Sequence, residues 1–426
     1  MIKKLIKNFK AFPVIYVLLL FALLYLPAAL VAPAESDKFA IVNAVGIDYD
    51  KEKQELEFST LIHVPQENMS FNDKYKLYSG KSDTLTGCIK NIELHLGKQL
   101  GLVHVTLVVI SDSVVAHDLT TSLDALVRTT EISNNTSLVY TPDSAKDVLN
   151  TSLKSYESSG VKLSDIVNFN EENSVSTSEN IETYFRRLML PTSTTILNVI
   201  KLESEQSEGI DVSPEDSSSG SGSGSNESGS GENSAGNNAS KKEKNVLANT
   251  SEILLLKNGK KVAVFNDKQA KGINLINKSI ETGKLQIENF TGEGLTNATI
   301  VFNIKVKTAI PILAFKDEKP FITYKVFMDL ETVEIKEDNK NKELYFSQKT
   351  HLSPELKQKI NEKINENFNS AYKILQENNC DLLYYYTRFN FYMPFKFKRY
   401  LESLDNKDDY LKGIKVKLEA IPTIKN

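Results

Sequence analysis

The spacing of hydrophobic and polar residues divides the chain into regions of different character. An uncharged apolar run extends from Ala11 to Ala34, behind four lysines. Later segments either alternate apolar and polar residues, as strands do, or repeat apolar residues every three to four positions, as one face of a helix does. Between them, the stretch from Glu203 to Ala239 is almost devoid of apolar residues. This pattern predicts a leader, a folded region, a linker and a second folded region.

The region before the linker alternates strand and helix patterns. Phe39–Asp48 and Leu56–Val64 are apolar, β-rich runs joined by a charged turn, which predicts a hairpin. Helical spacing follows over 83–99 and returns over Ser113–Arg128, on either side of the continuous apolar run Leu102–Ile110. Such a run is typical of a strand buried on both faces. The alternation predicts a mixed α/β or α+β domain.

The region after the linker is predicted to form strands around one long helix. Ser353 and Pro354 are residues that favour a helix start. The apolar residues that follow share one helical face: Leu356, Ile360, Ile364, Phe368, Ala371 and Leu375. We expect this helix to pack on a sheet that closes with the alternating strand Ile414–Leu418. The fold class predicted here is α+β.

The N-terminal apolar run predicts either a membrane anchor or a cleavable signal peptide. With a rise of roughly 1.5 Å per residue, a helix of this length crosses a hydrocarbon core of about 30 Å. Pro27 followed by Ala32 and Ala34 also fits a shorter signal with an A-x-A cleavage site. Both interpretations place residues 35–426 outside the cytoplasm. The residues expected to form the anchor are Val14, Leu18, Phe21, Leu24 and Leu26.

Composition predicts a flexible acidic linker over residues 203–245. Its Gly, Ser, Asn and Glu residues bury too little apolar surface to fold. The segment is either a spacer between two domains or an expanded surface loop. The predicted organisation is a signal peptide or anchor over 1–34, a mixed α/β domain over 35–202, this linker, and an α+β domain over 246–426.

The search for catalytic chemistry yields few candidates. A net charge of −4 gives no indication of nucleic-acid binding. No histidine has another His or Cys at metal-ligand spacing, which favours structural roles for His63, His95, His104, His117 and His351. The two cysteines, Cys88 and Cys380, are expected to be buried free thiols rather than a disulfide. We predict no catalytic residue, metal or cofactor.

An aromatic-rich stretch, residues 384–397, follows the long helix. Core packing beside the helix is one interpretation, and a surface that binds a partner or a sugar is the other. On the second interpretation the candidate partner-binding residues are Asp381, Tyr385, Phe389 and Phe391.

Several segments match, in order, the pattern of one family. FAIVNAVGIDYDKEKQELEFS is similar to its opening hairpin and contains Gly46-Ile47-Asp48. LTGCIKNIELHLGKQLGLVHVTLVVISDSVV is similar to its helix and following strand, with His104 early in the strand. After the linker, a segment with Gly272 and the segment NENFNSAYKILQENNCDLLYYYTRF, with Cys380 and Asp381, follow the same pattern. Together they resemble the C subunit of spore-germination receptors, the Ger(x)C family.

The resemblance extends from about residue 38 to 424 and implies a non-enzymatic protein of mixed α/β domains. It implies a place on the outer face of the inner spore membrane, beside a polytopic transporter-like subunit and a large membrane subunit. The family's lipid-bearing cysteine is missing, which favours an uncleaved helix as the anchor. The alternatives are an exported enzyme that acts on the cell wall and a wall-binding or adhesion module.

Overall fold

A computed structural model describes residue 21 and the ranges 38–64, 74–155, 179–204, 245–277, 283–292, 294–337, 340–342 and 352–425. Of the predicted anchor residues, Val14, Leu18, Leu24 and Leu26 lie outside these ranges, and Phe21 is 63% exposed. Most of the predicted linker also lies outside them. Within the described part of the chain, no helix combines the length and the apolar character that a membrane crossing requires.

Two β-sheets organise the described residues. The first has nine strands: β1 (Phe39–Asp50), β2 (Glu55–Val64), β3 (Lys74–Ser82), β4 (Gln99–Gly101), β5 (Leu107–Ser111), β6 (Ser137–Thr141), β7 (Thr194–Ser204), β8 (Asn245–Lys257) and β9 (Lys260–Phe265). The second has five: β10 (Gly283–Gly292), β11 (Leu295–Lys316), β12 (Lys319–Glu337), β13 (Lys340–Lys342) and β14 (Lys415–Ile424). This confirms a mixed α/β fold.

The centre of the first sheet is parallel and its flanks are antiparallel. Strands β1, β5, β6 and β7 lie side by side and run in the same direction. β2 and β3 extend one edge as antiparallel hairpins, which confirms the predicted β1–β2 hairpin, and β8 and β9 extend the other. Parallel neighbours need crossover connections, and helices supply them here.

Helices cover both faces of this sheet. They are α1 (Leu85–Leu96), α2 (Asp112–His117), α3 (Leu119–Thr129), α4 (Ala145–Ser155) and α5 (Ile181–Leu188). Ile47 and Val45 of β1 pack with α1, α3 and α5, whereas Ala44 packs with α4 on the opposite face. Successive side chains of a strand point to opposite faces, so one strand contributes to two cores.

Two predicted elements in this region differ from the structure. The run Leu102–Ile110 is not one strand: residues 102–104 form a 3₁₀ turn and the strand begins at Leu107. A continuous apolar run carries no periodicity that reveals a single turn. The predicted helix Ser113–Arg128 is two helices, because Asp118 leaves helical geometry and accepts a hydrogen bond from the N–H of Thr121 as the cap of α3.

The predicted linker connects the ends of two paired strands. β7 and β8 are antiparallel neighbours in a register that runs from Thr194 opposite Lys257 to Ser204 opposite Asn245. The chain therefore leaves the sheet at Ser204 and returns to it at Asn245, beside the point of departure. Both ends of the predicted linker therefore lie in one sheet.

Strand β8 belongs to two hydrophobic cores. Leu254 and Leu256 pack in the core of the first sheet. Ile253 and Leu255, on the other face of the strand, join the core of the second sheet. The first sheet thus extends past the predicted boundary at residue 246. Strand β8 packs against both hydrophobic cores and is shared by the two parts of the chain.

The second sheet is covered by helices: α6 (Asp267–Asn277), α7 (Pro354–Glu377), α8 (Tyr385–Tyr392), α9 (Pro394–Glu402) and α10 (Tyr410–Gly413). α7 is the predicted long helix, and its predicted apolar stripe is buried throughout. Ser353 caps it, accepting a hydrogen bond from the N–H of Leu356 at 3.1 Å. The closing strand β14 pairs in parallel with β12. The long helix with its cap and apolar stripe, and the presence of a closing strand, confirm predictions from the sequence.

Candidate functional site

The aromatic stretch 384–397 divides into a buried half and an exposed half. Tyr385, Phe389 and Phe397 are at most 1% exposed. Phe391, Tyr392 and Phe395 are 75%, 68% and 81% exposed. These three lie where α8 ends and α9 begins, and we call them the aromatic elbow. Core packing and surface exposure therefore both occur within one stretch, with the exposed rings between the buried Phe389 and Phe397.

Asp381, predicted as a partner contact, is instead a buried cap. Its carboxylate accepts hydrogen bonds from the N–H groups of Tyr385 and Tyr386, at 2.8 and 2.7 Å, and from the hydroxyl of Tyr410 at 2.9 Å. Burial raises the pKa of Asp381, and the two N–H donors and the hydroxyl oppose that rise. Its three donors are all provided by the protein itself. Asp381 starts helix α8 and is 1% exposed, so its carboxylate lies in the interior and not on the surface.

Phe389 and Phe397 form the foundation of the elbow. Their rings stack with centroids 5.5 Å apart, and Phe315 of β11 meets Phe389 edge-on at 5.6 Å. Stacked and edge-on rings at these distances are favourable contacts. They fix α8 against α9 and against the second sheet. Phe389 and Tyr385 are thus packing residues, and Phe391 alone of the four predicted partner contacts is on the surface.

Three cationic side chains follow the elbow on α9. Lys396, Lys398 and Arg399 are exposed. From Leu382 to Leu401 the sequence contains no Asp or Glu. The ammonium group of Lys398 lies 4.0 Å from the carboxylate of Glu402, and both side chains are more than half exposed. A pair of this kind is weak in water. The elbow is therefore an aromatic projection beside a basic surface.

The residues Tyr392 and Phe395 were not among those predicted to contact a partner. Pro394, which starts α9, is the sequence signal that marks the bend between the two helices. Phe395 and Phe397 both lie in α9, where two positions correspond to about 200° around the helix, so the two rings have opposite environments. The buried rings Tyr385, Phe389 and Phe397 are four and eight residues apart, so the buried positions keep a helical spacing through the bend.

The first sheet carries a polar cleft of about 350 Å³. It lies at the carboxyl ends of β1, β5 and β6, where α/β sheets often bind ligands. Its lining includes Asp48, Glu57, Lys81, Ser111 and Ser144. Each of these side chains makes polar contacts with other groups of the protein.

The carboxylates of Asp48 and Glu57 both bind donor groups of the protein itself. Asp48 caps α4, accepting from the N–H groups of Ala145 and Lys146 at 2.8 and 3.0 Å. Burial raises its pKa in spite of those donors. Glu57 contacts Lys146 at 2.6 Å and Lys81 at 3.1 Å. Burial opposes its ionisation, but hydrogen bonds from Lys146 and Lys81 outweigh burial and hold the pKa of Glu57 below its ordinary value. The cleft is a structural feature of the Gly46-Ile47-Asp48 segment.

The histidines that the structure describes make separate contacts in different parts of the fold. His117 stacks on Tyr49 with ring centroids 3.8 Å apart, and the ring of His95 hydrogen-bonds the carbonyl of Asn91. His104 is exposed and lies in the 3₁₀ turn before β5, not in the strand itself. His351 lies outside the described residues. In the described part of the chain, no three His, Cys, Asp or Glu side chains are arranged to hold a metal ion.

Both cysteines are buried and free, which confirms the prediction. Burial raises the pKa of each thiol to about 11. A thiol with such a pKa is almost entirely protonated near neutral pH and is a poor nucleophile. Cys88 and Cys380 therefore act as small packing residues.

Comparisons with known proteins agree with the family resemblance. The model of the "Spore germination protein N-terminal domain" matches residues 33–202, and that of "Spore germination B3/ GerAC like, C-terminal" matches residues 251–426. A solved structure, "Crystal Structure of the GerBC protein", has 12% sequence identity and a TM-score of 0.46, over 90% of this chain and 97% of that one. A search of curated protein sequences found no match. Because the two family models together span most of its length, the chain belongs to the GerAC-like family of spore germination proteins, the C subunits of germinant receptors.

Proposed function

We propose that this protein is a non-enzymatic subunit of a nutrient germinant receptor on the outer face of the inner spore membrane. The observation that carries the proposal is family membership, with both domain models matched in order along one chain. Its partners are a polytopic transporter-like subunit and a large membrane subunit. Its contribution is assembly, through which nutrient binding by the complex leads to ion release.

The packing of the described residues suits a scaffold. β8 places Ile253 in one core and Leu254 in the other, so the two parts of the chain are joined by a shared strand. Interiors are close-packed and transmit displacement instead of absorbing it. A force applied by a partner to one sheet is thus expected to reach the other.

We further propose that residues 1–34 stay in the membrane as an uncleaved helix. The support is the length of the apolar run and the four lysines before it. Full-length protein is expected to remain with membranes in high salt and to dissolve in detergent. Release by salt alone contradicts the anchor, and a mature N-terminus at Glu35 shows cleavage instead.

Assembly is tested by affinity purification of the tagged full chain from dormant-spore membranes in mild detergent. We expect the transporter-like subunit and the large membrane subunit to co-elute with it. An exported, membrane-anchored protein with the same tag is the control for carry-over. Elution of the chain alone, from membranes in which the other two subunits stay together, contradicts the proposal.

The non-enzymatic part of the proposal has its own test. Purified full chain is incubated with peptidoglycan and with ester substrates, and released products are measured. We expect no turnover above that of buffer. Turnover that co-purifies with the folded chain contradicts the proposal and supports the exported enzyme.

A further inference from the structure

We propose that the aromatic elbow inserts into the headgroup region of an anionic lipid surface. The elbow comprises Phe391, Tyr392 and Phe395, with Lys396, Lys398 and Arg399 beside it. This inference goes beyond assembly with protein subunits, and it rests on the proposed membrane location of the chain. It assigns a second membrane contact, far in sequence from the N-terminal run.

The exposure of the three rings shows a projection and not a groove. Phe391 is 75% exposed, Tyr392 68% and Phe395 81%. Large apolar side chains that line a groove lose much of their surface to its walls, whereas these retain most of it. The rings of Phe391 and Tyr392 meet edge-on with centroids 5.0 Å apart, so they form one continuous apolar surface. A convex apolar projection fits a partner whose surface deforms around it. A layer of lipid headgroups is such a surface.

The elbow is held rigidly from below. Phe389 precedes it and Phe397 follows it, and these two buried rings stack on one another. Asp381 fixes the start of α8 through the N–H groups of Tyr385 and Tyr386. The rings of the elbow are therefore presented at a fixed place on the surface, with little backbone entropy to lose on insertion.

The charges around the elbow select the kind of lipid. Lys396, Lys398 and Arg399 are exposed, and no acidic residue occurs from Leu382 to Leu401. Basic residues next to an anionic leaflet each contribute an attraction that falls off within a Debye length. Phe and Tyr side chains at the same place insert at the boundary between headgroups and acyl chains. Aromatic and basic residues together are the composition of interfacial membrane segments.

The leader and the elbow have separable roles. An anchor formed by residues 1–34 holds the chain at the membrane but leaves its orientation free. A second contact at the elbow restricts that orientation, because the elbow is fixed to the second sheet. The experiment therefore measures the environment of the elbow itself and not only the binding of the chain to membranes.

The probe is a polarity-sensitive fluorophore on the full chain carrying Asn390→Cys. Asn390 is exposed next to Phe391, and the native Cys88 and Cys380 are buried. The labelled chain is reconstituted into vesicles of phosphatidylcholine alone or of phosphatidylcholine mixed with phosphatidylglycerol. We expect a blue shift and quenching by brominated acyl chains in the mixed vesicles, with less of both in high salt. A second labelled chain carries Lys53→Cys in the β1–β2 turn. Its fluorophore is expected to show the emission of an aqueous environment with both kinds of vesicle.

Two sets of substitutions separate the aromatic and the basic contributions. Phe391→Ser, Tyr392→Ser and Phe395→Ser together are expected to abolish the blue shift. Lys396→Glu, Lys398→Glu and Arg399→Glu together are expected to abolish its dependence on phosphatidylglycerol. The matched control is Leu94→Ser with Val103→Ser, which removes apolar residues that are 68% and 50% exposed elsewhere. That control is expected to leave the signal unchanged, and circular dichroism verifies that each variant is folded.

The outcomes distinguish this inference from the proposed anchor. In one outcome the chain floats with the vesicles while the emission of the probe at position 390 stays that of a fluorophore in water. This result supports the anchor and overturns the elbow contact. A probe that is shielded only when the other receptor subunits are present overturns it too, and assigns the elbow to a protein partner. A chain that fails to float contradicts both the anchor and the elbow contact.

Discussion

Nη2 of Arg187 lies 3.0 Å from Oε1 of Glu179, and the two side chains are only 7% and 2% exposed. The guanidinium carbon of Arg187 is also 5.4 Å from the centre of the Tyr384 ring. Arg187 belongs to α5 of the first part of the chain, and Tyr384 precedes α8 of the second. Charges at this depth require a partner. This one cation therefore joins the two parts of the chain.

Removal of Arg187 is expected to destabilise the protein strongly. Arg187→Met leaves Glu179 buried without its counterion, and above about pH 7, where Glu179 is ionised in the parent chain, the expected cost is about 3–5 kcal/mol. Denaturant unfolding of the full chain measures the free energy. The matched control is Arg186→Met, because Arg186 is exposed on the same helix and we expect a change within about 0.5 kcal/mol. Equal effects of the two substitutions contradict a special role for the buried pair.

The same pair predicts a pH dependence with a definite sign. Burial raises the pKa of Glu179 to about 7, although Arg187 and Arg186 lower it. The folded chain thus keeps a proton that the unfolded chain releases, and this contribution to stability, complete below about pH 4.5, is lost as the pH rises towards 7. Because Arg187 lowers the pKa of Glu179, that pKa is higher still in a chain without Arg187. We expect the destabilisation by Arg187→Met to change little well below pH 7, where Glu179 is protonated in both folded chains, and to grow as the pH rises through about 7 and above. A destabilisation that stays constant through that rise contradicts the assignment.

The aromatic stretch predicts opposite outcomes for two phenylalanines two positions apart. Phe389→Ala empties a buried site between Phe315 and Phe397 and is expected to cost about 3–5 kcal/mol. Phe391→Ala removes an exposed ring and is expected to change stability by no more than about 0.5 kcal/mol. Thermal or denaturant unfolding compares them directly. A large loss of stability for Phe391→Ala contradicts its exposure.

Gly272 is expected to tolerate no side chain. A Cβ at this position of α6 comes within 2.6 Å of the backbone carbon and oxygen of Asn367 in α7. The expected cost of Gly272→Ala is about 1–3 kcal/mol, even though alanine favours a helix more than glycine does. Gly101→Ala is the control, because its Cβ has 3.4 Å to its nearest neighbour. A Gly272→Ala variant as stable as the parent chain shows that the two helices separate readily.

Deletion of Ser217–Asn238 is expected to leave both flanking parts folded. The deleted residues lie outside the described ranges, but β7 and β8 pair up to Ser204 and Asn245, so a shorter connection still closes. The change in unfolding free energy is expected to stay within about 1 kcal/mol, as for other changes in loop length. A loop of the same length with scrambled order is the control. A larger loss in the deletion alone shows that the segment contacts the fold.

The sequence alone determined the local elements wherever one face of an element is apolar. Helix α7 and its capping residue Ser353, the β1–β2 hairpin and the closing strand β14 were all predicted, because a stripe or an alternation reports directly which face is buried. The two thiols were predicted as buried and free. The order of weak motifs also indicated the family before any comparison.

Only the tertiary structure decided how these elements share surfaces. Local pattern does not say that β8 completes the first sheet after the linker, because hydrogen bonds between distant strands leave no local periodicity. Nor did the sequence analysis separate Phe389 from Phe391, since both are aromatic and the bounds of α8, which place the two rings about 200° apart around one helix, come from the structure. Asp381 shows the same limit: it was a candidate partner contact beside the aromatic stretch, whereas three donors from its own fold hold it in the interior.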